Sequence, residues 1–462
     1  MRAEQNIRLT RVGPGTPCGN LLRQYWQPIA LTDEFDPALV PQMGARPVKA
    51  VRALGQDMVL FKTPAGIWAL LDRGCPHRGA DLSYGRLEQD GLRCPFHGWK
   101  FAPSGQCLET PAEPEGSRLC QSVRQRSYPV IEKSGLIFAW LGPQEQTPPA
   151  FAALDCFAAP STHVFAFKGL LQCNWLQALE VGIDPAHASY LHRFFEDEAL
   201  SASYGKQFRG ASADSAGLPG QWPMTRVLRE FDRPEILVNL TDFGLQLTAL
   251  RQLDAAHMHV RVTNQVFPQA FVIPLSEDIT ITQWHVPVDD TSCYWVAIFT
   301  GFGAPLNKTQ MREQRLALYT LPDYVPRVGK HNHYGFDANE QRTQTFTGMG
   351  QDINVHDQWA VEGQGAIQDR TKEHLGTTDK GIIAYRRLLS AAIDQVQAGQ
   401  TPLMVLAPEQ AARIAGPVTV DGIAPAHAWQ DYAVQADTRR RASSPWARSL
   451  ITASDAQPDV VR

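Results

Sequence analysis

Four residues in two short segments have the types and spacing to bind metal. They are Cys75-Pro-His77 and Cys94-Pro-Phe-His97, which read as C-x-H, a sixteen-residue gap and C-x2-H. Two thiolates and two imidazoles suit several metals, so their arrangement has to decide. A C2H2 zinc finger places its cysteines in one pair and its histidines in another, with a helix between. Here each segment brings one of each. That pattern fits a binuclear iron–sulfur cluster in which one iron takes both thiolates and the other takes both imidazoles. Imidazoles in place of thiolates raise the reduction potential well above that of a plant-type ferredoxin. Such a centre accepts electrons from a low-potential donor and passes them on. Gly74, Gly79, Gly98, Pro76 and Pro95 favour tight loops with N–H groups free to approach sulfur. Phe96 and Trp99 are placed to shield the cluster.

The other six cysteines (Cys18, Cys107, Cys120, Cys156, Cys173 and Cys293) are scattered and read as small buried hydrophobes, not a disulfide scaffold.

A second constellation lies downstream, in Asn174-Trp-Leu-Gln-Ala-Leu-Glu180-Val-Gly-Ile-Asp184-Pro-Ala-His187-Ala-Ser-Tyr-Leu-His192. Taken alone, histidines such as His187 and His192 are more often helix-surface or core residues than metal ligands. Their separation keeps them near one face if the helix is interrupted, and Pro185 gives a reason for an interruption. Two imidazoles and one distant carboxylate would form a 2-His-1-carboxylate triad, which leaves positions on Fe(II) open for O2 and substrate. Asn174 reads either as a hydrogen-bonding group near that iron or as a helix cap.

The elements that must position these groups come next. Short runs such as Val48–Leu54, Asp57–Phe61, Ile67–Leu71, Val130–Ile131 and Leu136–Trp140 predict a small β domain over 40–145. A helical or extended segment, 1–39, precedes it, and the Gly142–Pro149 stretch reads as a linker. From 146 to 430 the chain predicts helices with an antiparallel sheet, its strands lying between 226 and 300 and a packing helix near 381–393. The fold class expected is therefore α+β. The segment 431–462, with Arg439-Arg-Arg, reads as a loose, solvated tail.

Composition excludes several partners. The formal net charge is -4, from 43 basic and 47 acidic side chains, which leaves no footprint for nucleic acid or an anionic membrane. No apolar run is long enough to span a bilayer, and Met1–Thr10 lacks the apolar stretch of a secretory signal, so a cytoplasmic protein is expected.

The paired Cys/His segments resemble the Rieske iron–sulfur motif. Glu180, Asp184, His187 and His192 are similar to the E-x3-D-x2-H-x4-H signature of Rieske oxygenase α subunits. The resemblance covers roughly residues 10–400 and is nearest to the phthalate dioxygenase-like branch. It implies a [2Fe–2S] cluster on Cys75, His77, Cys94 and His97, and a mononuclear iron on His187, His192 and a downstream carboxylate. Asp357, Glu362 and Gln364 resemble the D-x4-E-x-Q stretch of that branch, so Asp357 is the implied ligand. Asp352 is the fallback, and His356 a neighbour expected to point elsewhere.

The resemblance further implies that Asp184 bridges a histidine of the iron site to a cluster histidine of a neighbouring subunit, in a homotrimer or stacked hexamer. The bare reading of Asp184 is a cap ahead of Pro185. The implied activity is O2-dependent hydroxylation of an aromatic, carboxylated substrate. The alternatives are O-demethylation of a methoxylated aromatic, or an electron carrier with no oxygenase activity of its own. An acid substrate needs a cation, and Arg209 and Arg251 are the choices among Arg209, Arg226, Arg229, Arg251 and Arg261. Charged residues of 367–379 are expected to be structural or interfacial. No G-x-G-x-x-G fingerprint follows a strand, so a separate NAD(P)H-dependent reductase, carrying flavin and a plant-type ferredoxin centre, is the expected partner.

Overall fold

The computed structural model describes residues 1–197, 213–215 (backbone alone) and 223–448. Its contacts divide the chain into two units: Arg11–Pro149 with Val286–Asp290, and Met1–Thr10 with Ala150–His285 and Thr291–Arg462.

The first of these is mainly β. Antiparallel strands Val48–Ala53, Gln56–Lys62, Trp68–Asp72 and Ser127–Tyr128 form one sheet, and Arg86–Leu87, Leu92–Arg93, Lys100–Phe101 and Cys107–Glu109 a second, smaller one. Trp26–Leu31 pairs with Leu136–Trp140, so of the segment 1–39 the part from Arg11 belongs to the β unit, while Met1–Thr10 falls with the other. Val59, Phe61, Leu71, Leu92, Trp99 and Phe101 bury themselves with Cys75 and Cys94 in one core. The paired-segment loops therefore grow from a packed base.

The other unit is built on an antiparallel sheet. Its strands run in the order Val164–Leu171, Cys293–Gly301, Ile279–Pro287, Ala270–Pro274, His257–Val266, Gly244–Gln252 and Glu235–Leu240. The expected helix is present as Lys380–Gln397, with Ile382, Tyr385, Leu389 and Ile393 buried at helical spacing. The sequence alternation in the central strands does not give one wet face. Gly244–Gln252 and His257–Val266 are buried almost throughout, and only the edge strand Glu235–Leu240 is largely open. Polar residues on the second face, among them Thr263 and Gln283, look into a cavity and not into bulk water.

The expected loose tail, 431–462, is ordered over 431–443. Trp429–Ser443 is a helix, and strand Val420–Pro425 before it joins the main sheet beside His257–Val266. Within the Arg439-Arg-Arg run only Arg439 is exposed. Arg440 is buried against Asp437, while Arg441 donates to Asp437 at 2.7 Å and to both oxygens of Asp155 at 2.6 and 2.8 Å. Helical spacing puts Asp437 three and four residues from these arginines, and a fork-shaped guanidinium matches a carboxylate with two bonds. Residues 449–462 lie outside the described set.

Candidate functional site

In the β unit the two Cys/His segments close into loops with one hydrogen-bond pattern. The Cys75 amide donates to the Ala80 carbonyl and Gly79 donates to the Cys75 carbonyl, both at 2.8 Å. In the second loop the Cys94 amide donates to the Trp99 carbonyl at 2.8 Å and Gly98 to the Cys94 carbonyl at 3.0 Å. Gly79 and Gly98 occupy equivalent positions, with φ of 74° and 75°, a region that disfavours any side chain. The matched loops bring cysteine to cysteine and histidine to histidine. Both cysteines are buried, and the His77 and His97 rings lie 4.5 Å apart. Trp99 stacks on His77 at 4.5 Å, whereas Phe96, though against His97, is exposed and shields little.

These four residues fit a cluster. His97 Nδ1 is shut off from solvent without a hydrogen-bond partner, as a ligand atom would be. Burial, with Cys94 alongside, pushes the Cys75 thiol up to about 11, so a cation must arrive to take the thiolate. Among the described residues, the one set of three or more side chains gathered closely enough for a single ion lies elsewhere. Zinc, which draws its ligands around one point, is therefore not what these loops are shaped for.

That other set is His187, His192 and Asp357, whose ligand atoms all lie within 4.8 Å of one another. The helix Trp175–Gly182 ends before Pro185, and the chain restarts as Ala188–Leu191, which turns both histidines toward the helix Ile353–Glu362. Asp357 Oδ1 stands 3.2 Å from His192 Nε2 and 3.8 Å from His187 Nε2. This oxygen is buried and has no hydrogen-bond partner.

The outer nitrogens explain why both Nε2 atoms present lone pairs. His187 Nδ1 donates to the Asp184 carbonyl. His356 Nε2 meets the Gly350 carbonyl at 3.0 Å, so that nitrogen carries the proton and His356 Nδ1 must accept. His192 Nδ1 lies 3.4 Å from it and donates, which leaves His192 Nε2 bare. Burial lowers the pKa of His187 despite Asp184 and keeps the ring neutral. Burial raises that of Asp357, but His192 and His187 outweigh it, so the carboxylate stays ionised. Two neutral imidazoles and one carboxylate are the donor set of a facial Fe(II) site.

The triad opens on a cavity of about 1130 Å³, counting the part open to solvent. Its floor is one face of the sheet. Phe271 and Ile273 alternate along one strand, Ile281, Gln283 and His285 along the next. Phe271 pairs with Gln283, and Ile273 with Ile281. From the opposite side come Ala178, Val181 and Gly182 of one helix, and Ile353, Asp357, Gln358 and Val361 of another. Gly182 allows this closeness, because a Cβ there would meet the Phe271 ring at 2.0 Å. Burial lowers His285 to about 3, so it adds a polar but uncharged group to the wall.

Residues 26–129 match the Rieske [2Fe-2S] domain, and residues 139–444 match the family described as LigXa C-terminal domain like. The chain belongs to the Rieske oxygenases. The phthalate 4,5-dioxygenase oxygenase subunit of Pseudomonas putida is 32% identical over 87% of this chain and 88% of its own. The 5,5'-dehydrodivanillate O-demethylase oxygenase subunit of Sphingobium sp. is 31% identical over 88% and 84%. A crystal structure of dicamba monooxygenase bound to dicamba shares the fold, with a TM-score of 0.54 at 20% identity, covering 82% of this chain and 99% of that one. This Rieske oxygenase carries a [2Fe–2S] cluster in its β domain and a mononuclear iron in its catalytic domain. The pure electron-carrier alternative is set aside.

Several expected residues lie elsewhere. Asn174 is a cap: its Oδ1 accepts from the Leu176 amide at 3.1 Å and its Nδ2 donates to the Thr10 carbonyl at 2.9 Å. It does not line the cavity, and the catalytic reading of Asn174 is withdrawn. Asp352 caps the helix Ile353–Glu362 and stays out of the gathered set, which removes the fallback.

Arg251 is buried away from the cavity, donating to the Phe231 carbonyl at 3.0 Å and to the Pro185 carbonyl and Ser189 Oγ at 3.3 Å. Its task is to brace the chain ahead of His187, not to hold substrate. Arg226 and Arg229 pair with Glu230 and Asp197, and Arg209 lies outside the described residues. Glu180 is buried between Arg370 and Arg386 at 2.9 and 2.6 Å, which gives the 367–379 segment a structural anchor. Sequence reasoning passed over His356 as a support and did not weigh Arg315, Gln283 or His285. An alternating strand, Ile279–Pro287, was the available signal for the last two.

Proposed function

We propose that this subunit hydroxylates or O-demethylates a carboxylated aromatic compound, with electrons from a separate NAD(P)H-dependent reductase. In this reading Cys75, Cys94, His77 and His97 hold the cluster, and His187, His192 and Asp357 hold the mononuclear iron. One observation carries it: the three gathered ligand atoms open directly on a cavity whose floor is mostly apolar. The naming of relatives as a phthalate dioxygenase and an O-demethylase supports both reaction types.

The mononuclear iron, when bound, supplies the activation of O2. The chain's residues do the rest. Phe271, Ile273, Leu275, Ile281 and Trp295 exclude water and hold an aromatic ring. Asp184 and His356 keep the protons of His187 and His192 on their outer nitrogens. Asp184 also accepts from the Ala186 amide at 2.8 Å, while Oδ2 lies 4.0 Å from His187 Nδ1. About a fifth of this side chain stays open to solvent. That supports a role for Asp184 in coupling the iron site to the cluster of a neighbouring subunit, in a trimer or stacked hexamer. No helix among the described residues is long and apolar enough to cross a membrane; we place the enzyme in the cytoplasm.

The test is substrate-dependent O2 uptake by iron-replete protein with a surrogate reductase and NADH, over phthalates, benzoates and methoxybenzoates, with products read by mass spectrometry. Gain of two oxygens and two hydrogens identifies dihydroxylation; loss of a methylene identifies demethylation. No uptake with any compound, from protein holding both iron centres, would contradict the aromatic-acid reading.

A further inference from the structure

Two arginines line the cavity that holds the triad, and their surroundings differ. Arg261 is fully engaged. It donates to Asp421, which also takes His259 Nε2 at 2.7 Å, and to the Pro274 carbonyl at 3.1 Å. A carboxylate entering the cavity would meet a cation already matched by a buried anion.

Arg315, in the last turn of the helix Lys308–Leu316, is not matched in this way. Its Nη1 is shut off from solvent and has no hydrogen-bond partner. The nearby carboxylate, Asp352 Oδ2, stands 3.8 Å away, beyond hydrogen-bond reach. The other oxygen of Asp352 is committed to the Asn354 amide at 2.8 Å and its side chain at 2.9 Å. The guanidinium sits 5.7 Å from the centre of the Phe299 ring, and only 14% of the side chain is exposed.

A buried cationic donor with no acceptor costs free energy, because nothing replaces the water it gave up. An acceptor arriving from the cavity would remove that cost. The planar fork suits a carboxylate best. Much of the remaining lining is apolar, His285 is uncharged and Arg261 is already matched, so recognition of an anion falls to Arg315.

We propose that Arg315 is the specificity-determining residue that selects acids over neutral aromatics, by turning its guanidinium, which lines the cavity and makes no hydrogen bond through Nη1, onto the substrate carboxylate. This rests on the oxygenase reading above and names the residue that recognises its substrate class. It replaces Arg251 in that role.

The test is anaerobic calorimetry on the holoenzyme with benzoate, phthalate and 3-methoxybenzoate, each beside its neutral amide. Wild type binds at least one acid about tenfold or more tighter than its amide. In Arg315→Met that acid loses about tenfold or more while the amide keeps its affinity, and Arg315→Lys falls between them. An Arg315→Met protein that keeps its Rieske absorption and amide binding is folded, so its loss of acid binding is specific. Four results overturn the proposal: no binding of any acid, equal binding of acid and amide by wild type, unchanged acid binding in Arg315→Met, or equal loss of both. O2 uptake separates the two readings. Acid preference without uptake supports Arg315 and overturns the function; uptake with an acid whose binding Arg315→Met leaves unchanged does the reverse.

Discussion

The two metal sites of this oxygenase subunit are built in opposite ways. The cluster loops are local and carried by backbone: two segments, each with its own cysteine and histidine, each closed by the same pair of hydrogen bonds and a left-handed glycine. The iron triad is assembled from residues up to 170 positions apart, two histidines flanking the short helix Ala188–Leu191 and an aspartate on the helix Ile353–Glu362, and one backbone carbonyl and one side chain orient its histidines. The Asp184 carbonyl fixes one histidine and the His356 ring fixes the other. A backbone-built site advertises itself in sequence spacing. A site assembled from distant segments shows its ligands there, but not what makes them ligands.

That contrast can be tested by removing one kind of support at a time. The largest effect is expected in the loops: Cys94→Ala should lose the cluster, its visible absorption and turnover, while the triad's iron remains. Iron analysis would then fall from about three per chain to about one, from the stoichiometry of the two centres. Retention of the cluster would contradict its assignment to these loops.

At the triad, His356→Leu should weaken mononuclear iron binding by about 10–100-fold, the usual scale for an outer partner of a metal-bound histidine. The Rieske spectrum should be unchanged, and competition with a chelator would read the affinity. A triad as self-sufficient as the loops would show no loss.

Away from both sites, Glu180→Gln should destabilise the catalytic domain by about 3–5 kcal/mol, because it leaves Arg370 and Arg386 buried with half their partner. Burial raises the Glu180 pKa, but Arg370 and Arg386 outweigh it and hold the carboxyl below its ordinary value. The depressed folded-state pKa means that this stability is present above the unfolded value near 4.5 and is lost as pH falls through the folded one. Thermal melts of the variant and wild type should therefore converge on acidification below about pH 4.5.

The smallest effect separates the two loops from each other. Gly79→Ala meets open space and should cost about 1–2 kcal/mol from its left-handed backbone alone. Gly98→Ala would add a contact of 2.8 Å with Pro111 Cγ and should cost more. Melts of the cluster-loaded proteins would rank them; equal costs would show that the loop packing does not matter.

The pattern of what was legible follows from the same contrast. Cys75, His77, Cys94 and His97 could be read from spacing because each loop is nearly a self-contained unit. His187 and His192 share one interrupted segment, so Pro185 and their spacing were informative. Asn174 had two readings, and its position at the first residue ahead of Trp175 made it a cap. Arg251 and Arg315 could not be ranked from sequence. The first faces Pro185 and Ser189, and the second faces the cavity only because of how the helix Lys308–Leu316 lies on the aromatic residues Phe165 and Phe299. The terminal helix was missed because it has little apolar pattern; its buried face is held by Asp155 and Asp437, and Asp155 lies 286 residues from Arg441.

If His187, His192 and Asp357 form an iron site distinct from the cluster, metal analysis of Asp357→Ala reads it without ambiguity. With the Rieske spectrum intact, iron should fall from about three to about two per chain and substrate-dependent O2 uptake should cease. An Asp357→Ala protein that keeps its third iron and its O2 uptake would contradict this assignment.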